Sequence, residues 1–174
     1  RKIRYYVVKI ILLIFYEKII MVVIMYKNRL KEIREENNIK QYELSKILGF
    51  SREVYGNFER ENTTIPIKHL NTLCSNFNCS LDYLFGFSNK KRYSNLKTDI
   101  NLDLMRERLR ELRKKEQLTQ KELAIKINIA PSTLGDYERK AKIIATPFVY
   151  DICKKYYISA DYLLGKIDNP KYYK

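Results

Sequence analysis

Residues 39–61, IKQYELSKILGFSREVYGNFERE, and residues 118–140, LTQKELAIKINIAPSTLGDYERK, decide how this chain is read. They are two copies of one pattern at a constant offset of 79 residues, and the correspondence runs without a gap from Arg29 to Gly86 and from Arg108 to Gly165. Leu30/Leu109, Arg34/Arg113, Glu43/Glu122, Gly56/Gly135, Cys74/Cys153, Ser80/Ser159 and Asp82/Asp161 are among the matches. The chain is a tandem repeat. Each copy lies near the ~55–65 residue lower limit for unaided folding, so each has room for one small core.

Within a copy the apolar residues recur at helical spacing. Leu30 and Ile33, matched by Leu109 and Leu112, mark a first helix; Leu44, Ile47 and Leu48 share one face of a second. In the second copy Thr119 and Glu122 form a capping box at that helix's start. The second helix ends at Gly49 or Asn128, residue types that accept a left-handed backbone. Ser51 can cap a third helix, and Pro131 suits its first position in the second copy. A fourth helix buries Leu70, Leu73, Cys74 and Phe77, matched by Val149, Ile152, Cys153 and Tyr156. Ser80 and Ser159 open a short fifth helix that stops at Gly86 and Gly165. Neither copy carries a strand pattern. The expected organisation is an apolar extension over 1–26, a first domain over 27–89, a linker over 90–107, a second domain over 108–168 and a tail over 169–174.

The 34 basic and 20 acidic residues give a net charge of +14. Such an excess favours a polyanionic partner, a nucleic acid or an anionic membrane surface. It is uneven: residues 27–89 carry +1 and residues 108–174 carry +7. Cys74, Cys79 and Cys153 cannot all pair, and two of them fall at the same repeat position inside an apolar pattern, so they read as core side chains in a reducing, cytoplasmic compartment. They also lack the spacing of a zinc site. His69 reads as a surface residue of helix four, and Tyr55, Phe58, Tyr83, Tyr137 and Tyr162 as core aromatics rather than platforms for single-stranded bases.

Residues 1–26 belong to neither copy. Lys9, Glu17 and Lys18 interrupt their apolar run, each costing roughly 2.5–3.5 kcal/mol at mid-bilayer, which argues against a membrane span. A signal peptide would need a small-residue cleavage site, which does not follow. With Met25 just ahead of the first helix, the segment reads as a non-native extension, with an added packing element or a membrane anchor as alternatives.

The two opening stretches resemble the helix-turn-helix of the Cro and phage-repressor proteins, the XRE family, and the endings SLDYLFG and SADYLLG resemble that family's fifth helix. The resemblance covers nearly the whole chain beyond Met25. It implies an all-α fold of two tandem five-helix, lambda-repressor-like domains that bind double-stranded DNA through the third helix of each. It implies that Gln41 and Gln120 bond a phosphate and steady the reading side chains. Arg52, Glu53 and Asn57 in the first copy, and Ser132, Thr133 and Asp136 in the second, then face the bases. Arginine grips guanine, asparagine pairs with adenine and carboxylates accept from cytosine. Glu53 and Asp136 also repel phosphates, and a solvated charged face is the plainer reading of all six. Arg60, Arg139, Lys140 and Lys142 fall where phosphate contacts are expected. Arg34 with Glu59 and Arg113 with Glu138, both 25 residues apart, are implied structural ion pairs.

Gly56 and Gly135 sit mid-helix at a cost of about 0.8–1.0 kcal/mol each relative to alanine. Either they let the backbone approach the groove or they relieve packing against helix two. Three departures from the family pattern bear on binding by both copies: Lys40 in place of a cap, Ala130 in place of another, and Glu61 where glycine is usual. The expected function is a cytoplasmic, sequence-specific transcription regulator acting by operator occupancy. No catalysis, cofactor, metal or small-molecule ligand is implied, and a homodimer is left open. The alternatives are a protein-interaction module with one degenerate copy and a membrane-anchored regulator.

Overall fold

The computed structural model describes residues 29–60, 62–139 and 142–171. The extension over 1–26, Met25, Glu61, Lys140 and the end of the tail lie outside the described residues. Among those described there is no strand, and no helix is long and apolar enough to cross a membrane. The chain divides into two compact units, one up to Thr64 and one from Ile65 onward.

The first unit holds α1 (29–36), α2 (Gln41–Ile47) and α3 (Arg52–Glu59). Leu30, Ile33, Leu44, Leu48, Tyr55 and Phe58 are buried. The chain leaves α2 through Gly49 with positive φ, as expected from the sequence, and leaves α1 through Asn38, also with positive φ. Ser51 caps α3 by accepting from the Val54 amide at 3.2 Å. Lys40 has no side-chain acceptor, yet its own amide donates to Glu43 Oε2 at 2.7 Å. That departure therefore removes one of the two bonds of a capping box, not both.

The second unit holds α4 (Ile67–Asn76), α5 (Leu81–Leu84), α6 (Leu102–Lys115), α7 (Gln120–Lys126), α8 (Pro131–Arg139), α9 (Thr146–Tyr156) and α10 (Ala160–Leu163). Thr119 and Glu122 complete the capping box expected at α7, and α8 begins at Pro131 as expected. The three cysteines are free and buried. Tyr83 and Tyr137 are buried, whereas Tyr162 is only partly so, and the Arg108 guanidinium lies over its ring at 4.0 Å from the centroid. His69 is half-buried on α4.

Residues 90–101, read from sequence as part of a linker, run without regular structure but are tied down. Tyr93 and Leu96 are buried with Ile167, the Lys97 amide donates to Lys166 O at 3.0 Å, and the Asn101 amide donates to Leu164 O at 3.0 Å. Asn101 then caps α6, whose first turns, Leu102 to Met105, extend the first helix of the second copy toward its N-terminus. Gly165 is required here twice over. Its φ is +75°, and a Cβ would come within 2.8 Å of the Asn101 Cβ.

The core of this unit is a reciprocal clasp between α5 and α10. Asp82 accepts from the Ala160 amide at 2.7 Å, from Ser159 Oγ at 2.5 Å and from the Tyr93 hydroxyl at 2.8 Å. Asp161 accepts from the amides of Leu81 and Asp82 at 3.2 and 2.9 Å. Each aspartate thus satisfies the open amides at the start of the other copy's fifth helix, where a negative charge is favoured. Both are fully buried. Lys166 is buried beside Asp161, with Nζ 3.7 Å from Oδ1, and also donates to Asn71. Around the clasp, Thr146 Oγ1 donates to Ile65 O at 2.7 Å, and Tyr150 packs on Phe85 and Phe87.

Two carboxylates and one ammonium leave an unbalanced negative charge out of water. Burial, and then the charge of Asp161, push the Asp82 carboxyl up to about 7, well above an ordinary aspartate; Asp161 is raised as well, chiefly by burial. A carboxyl whose folded value is raised adds stability at low pH that is lost as pH rises through that value. The chain should therefore lose stability as pH rises from about 4 to about 7. Urea denaturation across that range checks it, and Asp82→Asn should flatten the slope.

Candidate nucleic-acid interface

The second and third helices of each copy are locked by one buried carboxylate. Glu59 accepts from Arg34 Nε at 2.7 Å, from the Tyr55 hydroxyl at 2.8 Å and from Gln41 Nε2. Glu138 accepts from Arg113 Nε at 2.7 Å and Nη2 at 2.9 Å, and from Gln120 Nε2 at 2.7 Å. Arg34 also donates to Ile39 O at 3.3 Å and Arg113 to Leu118 O at 3.2 Å, so each guanidinium fixes the turn into helix two as well. The ion pairs are those expected from the sequence spacing. Burial alone would raise the two glutamates, but the bonds from Arg34, Tyr55 and Gln41, and from Arg113 and Gln120, outweigh it and hold both below the ordinary carboxylate range. Leu134 stands where Tyr55 is in the first copy, so Glu138 has one donor fewer.

The glutamines are set by this carboxylate. An ionised glutamate only accepts, so each amide must turn its nitrogen inward. A primary amide has two N–H donors, and the bond to glutamate uses one; a phosphate would take the other. The orientation comes from a residue 18 positions away, which local sequence does not display.

Helix three presents its first turn to solvent. Arg52, Glu53 and Ser132 are exposed, and Asn57, Thr133 and Asp136 are half-buried. Arg60 and Arg139 are exposed but not extended. Arg60 Nη2 donates to Asn57 Oδ1 at 2.9 Å, and Arg139 Nε donates to Gly135 O at 3.1 Å. At both mid-helix glycines the nearest side chain is this arginine. A Cβ at Gly56 would stand 3.0 Å from Arg60 Nη1, and one at Gly135 would stand 2.7 Å from Arg139 Nη2. Each glycine makes room for the guanidinium four residues on, one helical turn away. Lys142 is exposed, its ammonium 5.7 Å from the centre of the Tyr137 ring. Lys140 lies outside the described residues.

Three features escape a reading by motif. Tyr55 donates to the buried glutamate, Asn62 donates to Asn57 Oδ1 at 3.2 Å, and Tyr42, Ile47 and Val54 of the first unit are each about two-fifths exposed. The matching positions of the second copy are Lys121, Lys126 and Thr133, although Ile125 there is 62% exposed.

Both copies match the family described as a helix-turn-helix domain, over residues 28–86 and 107–169. An uncharacterized HTH-type transcriptional regulator of Bacillus subtilis (strain 168), YobD, is 42% identical over 64 residues, 37% of this chain and 57% of that protein. The HTH-type transcriptional regulator ImmR of the same organism is 44% identical over 59 residues, 34% of this chain and 46% of that protein. The chain spans about half the length of these curated relatives. No solved structure matches it.

Removing a buried carboxylate strands its partners. Glu138→Ala leaves Arg113 and Gln120 without their acceptor and should cost about 3–5 kcal/mol. Tyr55→Phe removes one bond to a charged group and should cost about 1.5–3 kcal/mol. Both follow from chemical denaturation of the full chain.

Proposed function

Because the chain belongs to the helix-turn-helix domain family, we propose that it is a sequence-specific, double-stranded-DNA-binding transcription regulator that acts by occupying an operator and performs no reaction. The observation that carries the reading is the buried glutamate with its arginine and glutamine, present in both copies. It holds helix two against helix three while the first turn of helix three stays open, the arrangement a major-groove reader requires. Arg52, Glu53 and Asn57, with Ser132, Thr133 and Asp136, take the base-facing roles. Gln41, Gln120, Arg139, Lys142 and Lys140 take the phosphate-facing ones. The reading carries a cytoplasmic location with it and calls for neither a cofactor nor a small-molecule ligand.

The charge is divided between the copies, +1 over residues 27–89 and +7 over residues 108–174. The second copy then supplies most of the sequence-independent attraction, and the first adds preference. A second reading, in which the first copy docks a protein, is favoured by the exposed Tyr42, Ile47 and Val54.

The experiment is binding of the full chain to duplexes selected from a random pool, across a range of salt. Each phosphate neutralised contributes about −0.9 to the slope of log K against log salt, so Lys142→Ala should flatten that slope by about 0.9. Arg52→Ala should reduce the preferred-over-random affinity ratio by about 1–3 kcal/mol. An Arg52→Ala chain that weakens on all duplexes equally, with the ratio kept, would favour the protein-docking reading of the first copy.

A further inference from the structure

Arg60, Asn62 and Asn57 form a small hydrogen-bonded group at the end of α3, and it restricts what Asn57 can read. Asn57 Oδ1 accepts from Arg60 Nη2 at 2.9 Å and from Asn62 Nδ2 at 3.2 Å. A guanidinium has five donors and no acceptor, so the side of the Asn57 amide facing Arg60 must be its oxygen. That choice cannot be reversed by a flip of the amide. A carbonyl oxygen has two lone pairs, and here both have donors. The Asn62 amide nitrogen also donates to Asn57 O at 2.9 Å, which holds the two asparagines together through the backbone. Gly56 is part of the same device: a Cβ there would stand 3.0 Å from Arg60 Nη1, so the guanidinium that reaches Asn57 would have to shift.

The usual asparagine contact with adenine is bidentate: the carbonyl accepts from N6 while the amide donates to N7. With the carbonyl engaged, Asn57 has donors alone to offer. Guanine presents two acceptors in the major groove, N7 and O6, whereas adenine places a donor beside its N7, and cytosine presents a donor alone.

We propose that Arg60 and Asn62 are positioning residues that hold Asn57 with its amide donors outward, so that the first copy selects guanine over adenine at the base pair Asn57 faces. This rests on the DNA-reading function proposed above. Arg60 then contributes to base preference rather than serving as a plain phosphate contact. At the matching position the second copy has Asp136, a carboxylate with no amide donors, and Arg139 donates to the Gly135 carbonyl.

The test selects preferred duplexes with the full chain and finds the base pair whose preference Asn57→Ala relaxes. Affinity is then measured with each of the four bases there, for the original chain and for the double variant Arg60→Ala with Asn62→Ala. The original chain should favour guanine over adenine by about tenfold, and the double variant, its carbonyl released, should lose or reverse that preference. Asn62→Ala alone, an exposed change that leaves the buried core untouched, should narrow the ratio in the same direction, and Gly56→Ala should do so by displacing Arg60. Circular dichroism melts confirm that the variants fold. Adenine preferred by the original chain, or a ratio unmoved in both Asn62→Ala and the double variant, would overturn the proposal. So would a specific binder in which Asn57→Ala relaxes no position. A chain that prefers no duplex at all would instead bring down the proposed function.

Discussion

A carboxylate in the middle of each copy holds the helix-turn-helix together. Glu59 and Glu138 each sit at the end of helix three and receive an arginine from helix one and a glutamine from the start of helix two. Three helices meet at one charge. Taken alone, a buried ion pair is weak evidence for stability, because desolvation offsets much of its attraction. Its value here is geometric: the carboxylate is satisfied only when all three helices hold their places, so other packings leave a charge stranded. The mutual angle of helices two and three, on which any groove-reading function depends, is constrained by that requirement together with the apolar contacts.

The second unit uses the same kind of device at a different place. Asp82 and Asp161 meet the unsatisfied amides of short helices that could not persist by themselves, since a single turn has almost no internal bonds. α5 and α10 are therefore helices by virtue of each other. The cost is a pair of buried acids, and it shows in the raised position of both carboxyls.

Much of this was legible in the sequence because it recurs. The 25-residue spacing from arginine to glutamate, the capping serines, and the glycine or asparagine closing helix two each appear twice at the same offset, and each is explained by contacts inside one copy. What stayed hidden depends on partners that no local pattern announces. Asp82 and Asp161 lie in LDYL and ADYL, which read simply as the acidic first turn of a short helix; their partners lie in the other copy. Gly56 and Gly135 invited explanations at the helix surface toward DNA or toward helix two. The nearest side chain in the structure is an arginine one turn along the same helix, and nothing in the spacing says whether that arginine extends or folds back. Residues 90–101 look like a linker by composition and lack of periodicity. Part of their anchoring is through backbone amides and carbonyls, which carry no residue signature, and the rest through Tyr93 and Leu96, whose partners lie far away in sequence.

Lys166 stands where the first copy has Phe87. Were the two halves separate identical subunits meeting across a twofold axis, every charge at the contact would come in twos. Two lysines would neutralise the two aspartates, and two phenylalanines would leave both uncompensated. A duplicated and fused chain escapes this parity, and its contact carries an odd number of ionisable groups. The two halves are thereby no longer interchangeable: a lysine that suits one side has no place on the other, and each substitution made in either half is felt once instead of twice. Where a homodimer would be constrained by symmetry, a tandem chain has two independently adjustable surfaces.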